Sequence, residues 1–198
     1  KYLDKWGAFD GRAIAVHCVQ VNESDLDILQ SKHVSIVHCP KCSAKLGMGV
    51  APLPKFRERN LKVGLGTDSA ASNNTMDVFD EMRTGLLIQR GVSQSVEHLG
   101  ALDFLRMATL GGAQTLGVED KVGTLESGKE ADIIGVGISH SHQVPVRDPC
   151  SALVYTATQE DLIFTMVGGR VLFEKGEVKT FEEKAVLEEA DSVRSKVY

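Results

Sequence analysis

The chain has 198 residues, 42% of them hydrophobic and 25% charged, with 22 basic against 27 acidic side chains and a formal charge of −5. That much apolar surface offsets the entropy of ordering and excludes a disordered or low-complexity protein. An acidic chain without a basic stripe is a poor partner for nucleic acid or an anionic membrane. No run approaches the ~20 apolar residues of a membrane span, and no charged segment followed by an apolar core opens the chain as a signal peptide would. The four cysteines are too sparse for a disulfide-stapled secreted domain, so the expectation is a cytoplasmic protein.

In chain order, Ala13–Val19 (AIAVHCV) has the length and composition of a strand. Asn22 and Ser24 offer N-caps to a helix carrying Leu26, Ile28 and Leu29. Val34–His38 is a second strand, stopped by Cys39 and Pro40; the glycine-rich loop KLGMGVAP follows, and Pro52 and Pro54 open a short helix ending near Asn60. Leu61–Thr67 is a third strand. Asn73 and Asn74 are placed to cap a long helix whose apolar residues Met76, Phe79, Met82, Leu86 and Leu87 recur every three to four positions. ALDFLRMATLGGAQTLG reads as another helix, in two pieces. Strands alternating with helices predict parallel βα units. After about Gly117 the character changes: Ala131–Ile138 is a strand, SHSHQVPVRDP a polar loop, and Leu162–Val167 and Arg170–Glu174 flank a Gly168-Gly169 hairpin turn. The charged end reads as a helix with a solvated face.

His17, His38 and Asp68 fall at or just beyond the C-terminal ends of predicted strands, where parallel βα folds keep their chemistry. Asp68, in LGTDSAASNN, either meets a ligand or metal or closes an Asx-turn before the next helix. His17 and His38 are either functional or satisfied histidines of the core and rim. Cys39-Pro-Lys-Cys42 lacks the second ligand pair of a structural zinc site, and a redox pair would need to open a helix. His140-Ser-His142 could bind metal from one strand face, but its neighbours point to a surface loop. KLGMGVAP matches no phosphate-binding glycine pattern.

Together, AVHCVQVNESDLDIL, VSIVHCPKCSAKLGMGVAPL and above all GTDSAASNN with the following D-x-F-x-E-M-R resemble the amidohydrolase superfamily, in the branch of the methylthioadenosine/S-adenosylhomocysteine deaminases and triazine chlorohydrolases. GTLESGKEADIIGV and FTMVGGRVLFEKGEV resemble the β-sandwich portion of the same family. The resemblance implies an α/β fold: the C-terminal part of a (β/α)8 TIM barrel, strands 6–8, plus part of a small β-sandwich. It divides the chain into a partial barrel (1–117), part of a composite sandwich (118–180) and a C-terminal helix (181–198). His17 would end strand 6, His38 lie near strand 7 and Asp68 end strand 8.

The resemblance further implies one divalent metal, zinc first and iron second. Asp68 would be ligand and proton carrier, His17 would hydrogen-bond the attacking oxygen, and His38, Ser72 and Asn73 would touch a small heterocyclic substrate. The implied reaction is hydrolytic deamination of a purine-like or other heterocyclic amine. The family's strand-1 HxH, strand-5 His and strand-5 Glu are absent from this chain, and Cys42-Ser43-Ala44 stands where close relatives carry Thr/Glu-Ser-Asn. With Lys1 at the start, the expectation is the C-terminal portion of a longer hydrolase, inactive alone. Two other functions stay open: a non-catalytic half-barrel that needs a partner chain or a homo-oligomer to cover its strand edges, and chlorohydrolase-type dehalogenation. A small Cys-x-x-Cys metal or redox protein is a third.

Overall fold

A computed structural model describes residues 1–197, and it separates the chain into two sheets of opposite character. After a short helix α1 (Tyr2–Lys5), strands β1 (Ile14–Val16), β2 (Ser35–His38) and β3 (Val63–Leu65) form a parallel sheet in the order β1-β2-β3. Ile14 pairs with Ser35, and Ile36 with Val63. The connections are helical: α2 (Glu23–Ser31) between β1 and β2, then α3 (Pro40–Lys45) and α4 (Leu53–Glu58) before β3. α2 starts as its sequence predicts, with the Asn22 side chain accepting from the Asp25 amide and Asp25 answering to the Asn22 amide. Beyond β3 come α5 (Ala70–Asn73), α6 (Val78–Ser93), α7 (Ala101–Arg106) and α8 (Gly112–Leu116).

One helix expectation needs correction. The long helix is capped not by Asn73 or Asn74 but by Asp77, whose carboxylate accepts from the amides of Phe79 and Asp80. Its buried apolar stripe is Phe79, Met82 and Leu86, while Met76 precedes the helix and Leu87 faces solvent. Residues 101–116 form the helix expected, in two pieces, α7 and α8. A π-helical turn, Met107–Gly111, joins α7 to α8 without a break. The close approach to β3 explains its glycines: a Cβ on Gly111 would lie 2.4 Å from the Val63 carbonyl oxygen.

The second sheet is antiparallel, in the order β4 (Ile133–Val136), β5 (Leu162–Val167), β6 (Arg170–Glu174), β7 (Glu177–Val178). The β5–β6 hairpin turns on Gly168-Gly169 as predicted, both at positive φ. α10 (Glu183–Val197) follows; Tyr198, the last residue of the expected terminal segment, lies outside the described residues. Between β4 and β5, α9 (Pro149–Tyr155) belongs to no predicted element, and it turns back to the first half. Val154 and Ala157 are fully buried in the same core as Leu26, Ile36, Phe56, Leu86 and Phe104. Arg83 of α6 fastens the segment by donating to the carbonyls of Tyr155 (2.8 Å) and Ala157 (2.5 Å). Among the described residues no helix is long and apolar enough to cross a membrane.

Candidate active site

The parallel strands end abruptly. Immediately after β1, His17 and Cys18 take left-handed backbone angles (φ 68° and 51°), and Asp68, three residues past β3, does the same (φ 61°). Side-chain-bearing residues seldom adopt that region, and such strain collects at functional sites. The turns bring His17 Nε2 within 3.6 Å of Asp68 Oδ2. Both side chains are partly open, 25% and 30% exposed.

A third group completes the cluster. The Cys42 thiol donates to the same Asp68 oxygen at 2.8 Å, while the Ser69 amide donates to Asp68 Oδ1 at 2.7 Å. These two donors, the thiol foremost, hold the Asp68 carboxyl below its ordinary range. The ligand atoms of His17, Cys42 and Asp68 lie within 4.8 Å of one another. A nitrogen, a sulfur and a carboxylate oxygen so gathered suit a divalent metal of the zinc class.

His38 closes the second strand and is buried, 2% exposed. Neither of its ring nitrogens has a partner, and neither does His17 Nδ1. Burial, helped by the neighbouring His17, pulls the His38 pKa down to about 4, so its ring is neutral in the physiological range. Three buried ring nitrogens without partners in one place are unusual, because buried polar atoms are nearly always satisfied.

Ser72 and Asn73 sit on α5, one turn beyond Asp68. Ser72 Oγ pairs with Ser69 Oγ at the helix start. Asn73, expected to touch a substrate, is instead buried and turned inward: its amide donates to the Thr67 carbonyl and to Glu81. Glu81 on α6 is fully buried and also accepts from the Lys41 amide of α3 at 3.1 Å. It therefore ties the helix carrying Cys42 to the loop carrying Asp68. Burial raises its pKa, against the pull of the Lys41 amide and Asn73. In the sequence Glu81 stands out only as part of the D-x-F-x-E-M-R motif and Cys42 only as part of the Cys-x-x-Cys pair, and neither is marked as a partner of Asp68. Glu81 stands four residues before Gly85 and eight before Gln89, on the buried face of α6, and a carboxylate at that spacing was the available signal.

The Cys-x-x-Cys pair does open a helix, with Cys39 at the cap and Pro40 in the first turn of α3. Its thiols are nonetheless held neutral. Burial first, then Asp68, raises Cys42, and burial with the nearby carboxylates lifts Cys39 to about 12. A redox pair needs a stabilised thiolate, so this geometry argues against that role.

Residues 1–172 match the sequence profile of the Amidohydrolase family. The chain is 40% identical over 190 residues to a 5-methylthioadenosine/S-adenosylhomocysteine deaminase of Pelotomaculum thermopropionicum, an alignment covering 96% of this chain and 44% of that protein. Its structure superposes with a TM-score of 0.94 and 33% identity on an adenosine deaminase from Xanthomonas campestris with bound zinc, over 99% of this chain and 45% of that one. It superposes with a TM-score of 0.90 and 27% identity on the atrazine chlorohydrolase TrzN from Arthrobacter aurescens complexed with zinc, over 96% and 42%. The chain thus spans less than half the length of the relatives it matches.

Proposed function

This chain belongs to the amidohydrolase family, and from that premise we propose that it supplies one side of the active site of a metal-dependent hydrolase that deaminates a purine-like heterocycle. The observation that carries the reading is the His17–Asp68–Cys42 cluster at the ends of parallel strands. The deaminase names of its relatives support the substrate class, and the zinc in its structural neighbours supports the metal.

In this proposal β1, β2 and β3 correspond to strands 6, 7 and 8 of a (β/α)8 barrel. Residues 1–117 would form the barrel portion and 118–180 part of a composite sandwich, with α10 in the segment that follows. Asp68 would hold the metal, with the other ligands supplied from outside this chain; a partly exposed carboxylate oxygen with an imidazole nitrogen 3.6 Å away fits such an ion. When bound, a divalent metal acts as a Lewis acid that lowers the pKa of water.

The residues present account for the rest of the chemistry. Asp68, kept ionised by Cys42 and Ser69, takes a proton at its carboxylate and returns it to the leaving amine. His17 Nε2, facing that carboxylate, hydrogen-bonds the attacking oxygen and stabilises the charge that develops there. His38 stays neutral behind His17 and excludes water from its inner side. Four free thiols support a reducing, cytoplasmic setting.

A second reading has an observation of its own. β1 and β3 are both open edges of the parallel sheet, and Ile14 and Val16 on β1 are 40% and 49% exposed. Such edges call for a covering segment, a complementing chain or a second copy. One set of experiments separates the readings. The isolated 198-residue chain is assayed for bound zinc and for ammonia release from adenosine-type substrates, beside a longer protein that carries it. Zinc and ammonia release in the longer protein alone are the expected result. Full turnover by the isolated chain overturns the split-site proposal. Chloride release from a chlorinated triazine without ammonia release transfers the reading to dehalogenation.

A further inference from the structure

Away from the strand-end cluster, a second group of metal-binding side chains converges on the antiparallel sheet. Asp161 ends a 3-10 turn (Gln159–Asp161) just before β5. Its carbonyl accepts from the Gly137 amide at the end of β4 (2.8 Å), so the pairing of β4 with β5 sets its position. Its carboxylate is almost fully buried, 1% exposed. The Thr158 amide and hydroxyl both donate to Oδ2, at 2.8 and 3.1 Å, which leaves Oδ1 facing the loop that leaves β4.

That loop presents two histidines to the one carboxylate. His140 Nδ1 lies 2.6 Å from Asp161 Oδ1, and His142 Nε2 lies 3.5 Å from Oδ2. The rings are 5.8 Å apart. The loop is braced for this arrangement: Gln143, itself buried, accepts from the His140 amide (3.1 Å) and donates to the Gly137 carbonyl (3.2 Å). Asp161 stays below its ordinary pKa although burial opposes its charge, because the Thr158 amide and the His140 ring outweigh that cost.

A simple ion pair needs one imidazole. Here two imidazoles face one carboxylate, each about half exposed, with one ligand atom from each of the three residues within 4.8 Å of the others. We propose that His140, His142 and Asp161 form a binding site for a divalent transition cation of the zinc class, separate from the strand-end cluster, that pins the β4–α9 loop to the antiparallel sheet. The donor set is two imidazole nitrogens and one carboxylate, a combination zinc accepts while leaving positions open to water. Ligand atoms on a tetrahedral zinc stand roughly 3.4 Å apart, from bond lengths of about 2.0–2.2 Å. The His142–Asp161 separation already meets that spacing; the His140–Asp161 hydrogen bond opens by somewhat under ~1 Å as the metal replaces its proton.

The site does not depend on the deaminase reading, and its test is separate. The protein carrying this chain is stripped with chelator and equilibrated with zinc chloride alone, and bound metal is counted by mass spectrometry. The double variant H140A/H142A and the single variant D68N are treated in the same way. Wild type and D68N are expected to retain one zinc per chain that H140A/H142A lacks, or binds at least tenfold more weakly. The solvent-facing histidines can be lost without loss of fold, which circular dichroism verifies. Cobalt(II), used as a visible probe, should give an absorption spectrum that the double variant alters and D68N leaves unchanged at this site. Equal zinc content and equal affinity in wild type and H140A/H142A overturn the proposal.

Discussion

The chain carries two groups built from histidine and aspartate, and they are inside out with respect to each other. At the ends of the parallel strands, Asp68 is open to solvent while His38 behind it is buried and unpartnered. On the antiparallel sheet, Asp161 is buried and fully hydrogen-bonded while His140 and His142 are the exposed members. An exposed carboxylate backed by strained backbone and unsatisfied rings is arranged to react. A buried carboxylate fixed by a turn is arranged to hold. The same residue types therefore acquire different uses according to which of them the fold encloses.

Exchanging each aspartate for its amide tests this contrast most severely. D68N is expected to lower turnover of the parent hydrolase by about 10³-fold or more, through loss of a ligand and proton carrier, with little change in melting temperature. D161N should do the reverse: turnover within a few fold, and a stability loss of about 1–3 kcal/mol as the buried hydrogen bonds to Thr158 are weakened. Steady-state kinetics with thermal denaturation on both variants would break the comparison if the effects were exchanged.

Glu81→Ala should cost about 2–4 kcal/mol, because it leaves the Lys41 amide and the Asn73 amide buried without their acceptor, and chemical denaturation measures this. The folded state raises the Glu81 pKa, so the native protein holds this proton more tightly than the unfolded chain. Its contribution to stability therefore falls as pH rises through the folded pKa, and E81Q should flatten that part of the stability–pH curve.

His38 acts in the opposite region of pH. Its pKa is lowered from 6.5 to about 4, so the unfolded chain takes up the proton first. Stability is then full above about pH 6.5 and declines as pH falls towards about 4, by up to roughly 3 kcal/mol. H38Q should remove that decline in urea titrations at pH 4.5 and 7. The smallest effect belongs to Cys42→Ala. Losing the thiol hydrogen bond lets the Asp68 pKa rise, which moves the acidic limb of the rate–pH profile to higher pH with a change of only a few fold in kcat/KM. An unmoved limb would remove Cys42 from the site.

Much of the fold could be read along the chain, because its signals are local. Alternating apolar runs marked β1–β3, the Asn22 cap marked α2, and the Gly168-Gly169 pair marked the β5–β6 hairpin. The misreadings share one cause. Asn73 looked like a cap because caps are recognised from neighbours in sequence, yet its amide answers to Glu81, eight residues on and buried by tertiary packing. Helix α9 carried too weak a pattern to be recognised, since its buried residues Ala152 and Val154 are sheltered by packing on α6 and α7 and not by its own sequence neighbours.

By itself the sequence determined the order of the three parallel strands, the helices α2, α4 and α6 and the β5–β6 hairpin, and the candidates His17, His38 and Asp68, since periodicity, turn chemistry and motif spacing are properties of short segments. Only the tertiary structure decided which groups meet. It set the Cys42 thiol on the Asp68 carboxylate, enclosed His38 without a partner, turned Asn73 inward and drew His140 and His142 together over Asp161. Each of those outcomes rests on burial and on contacts between distant segments, and these exist only once the sheets and helices have packed.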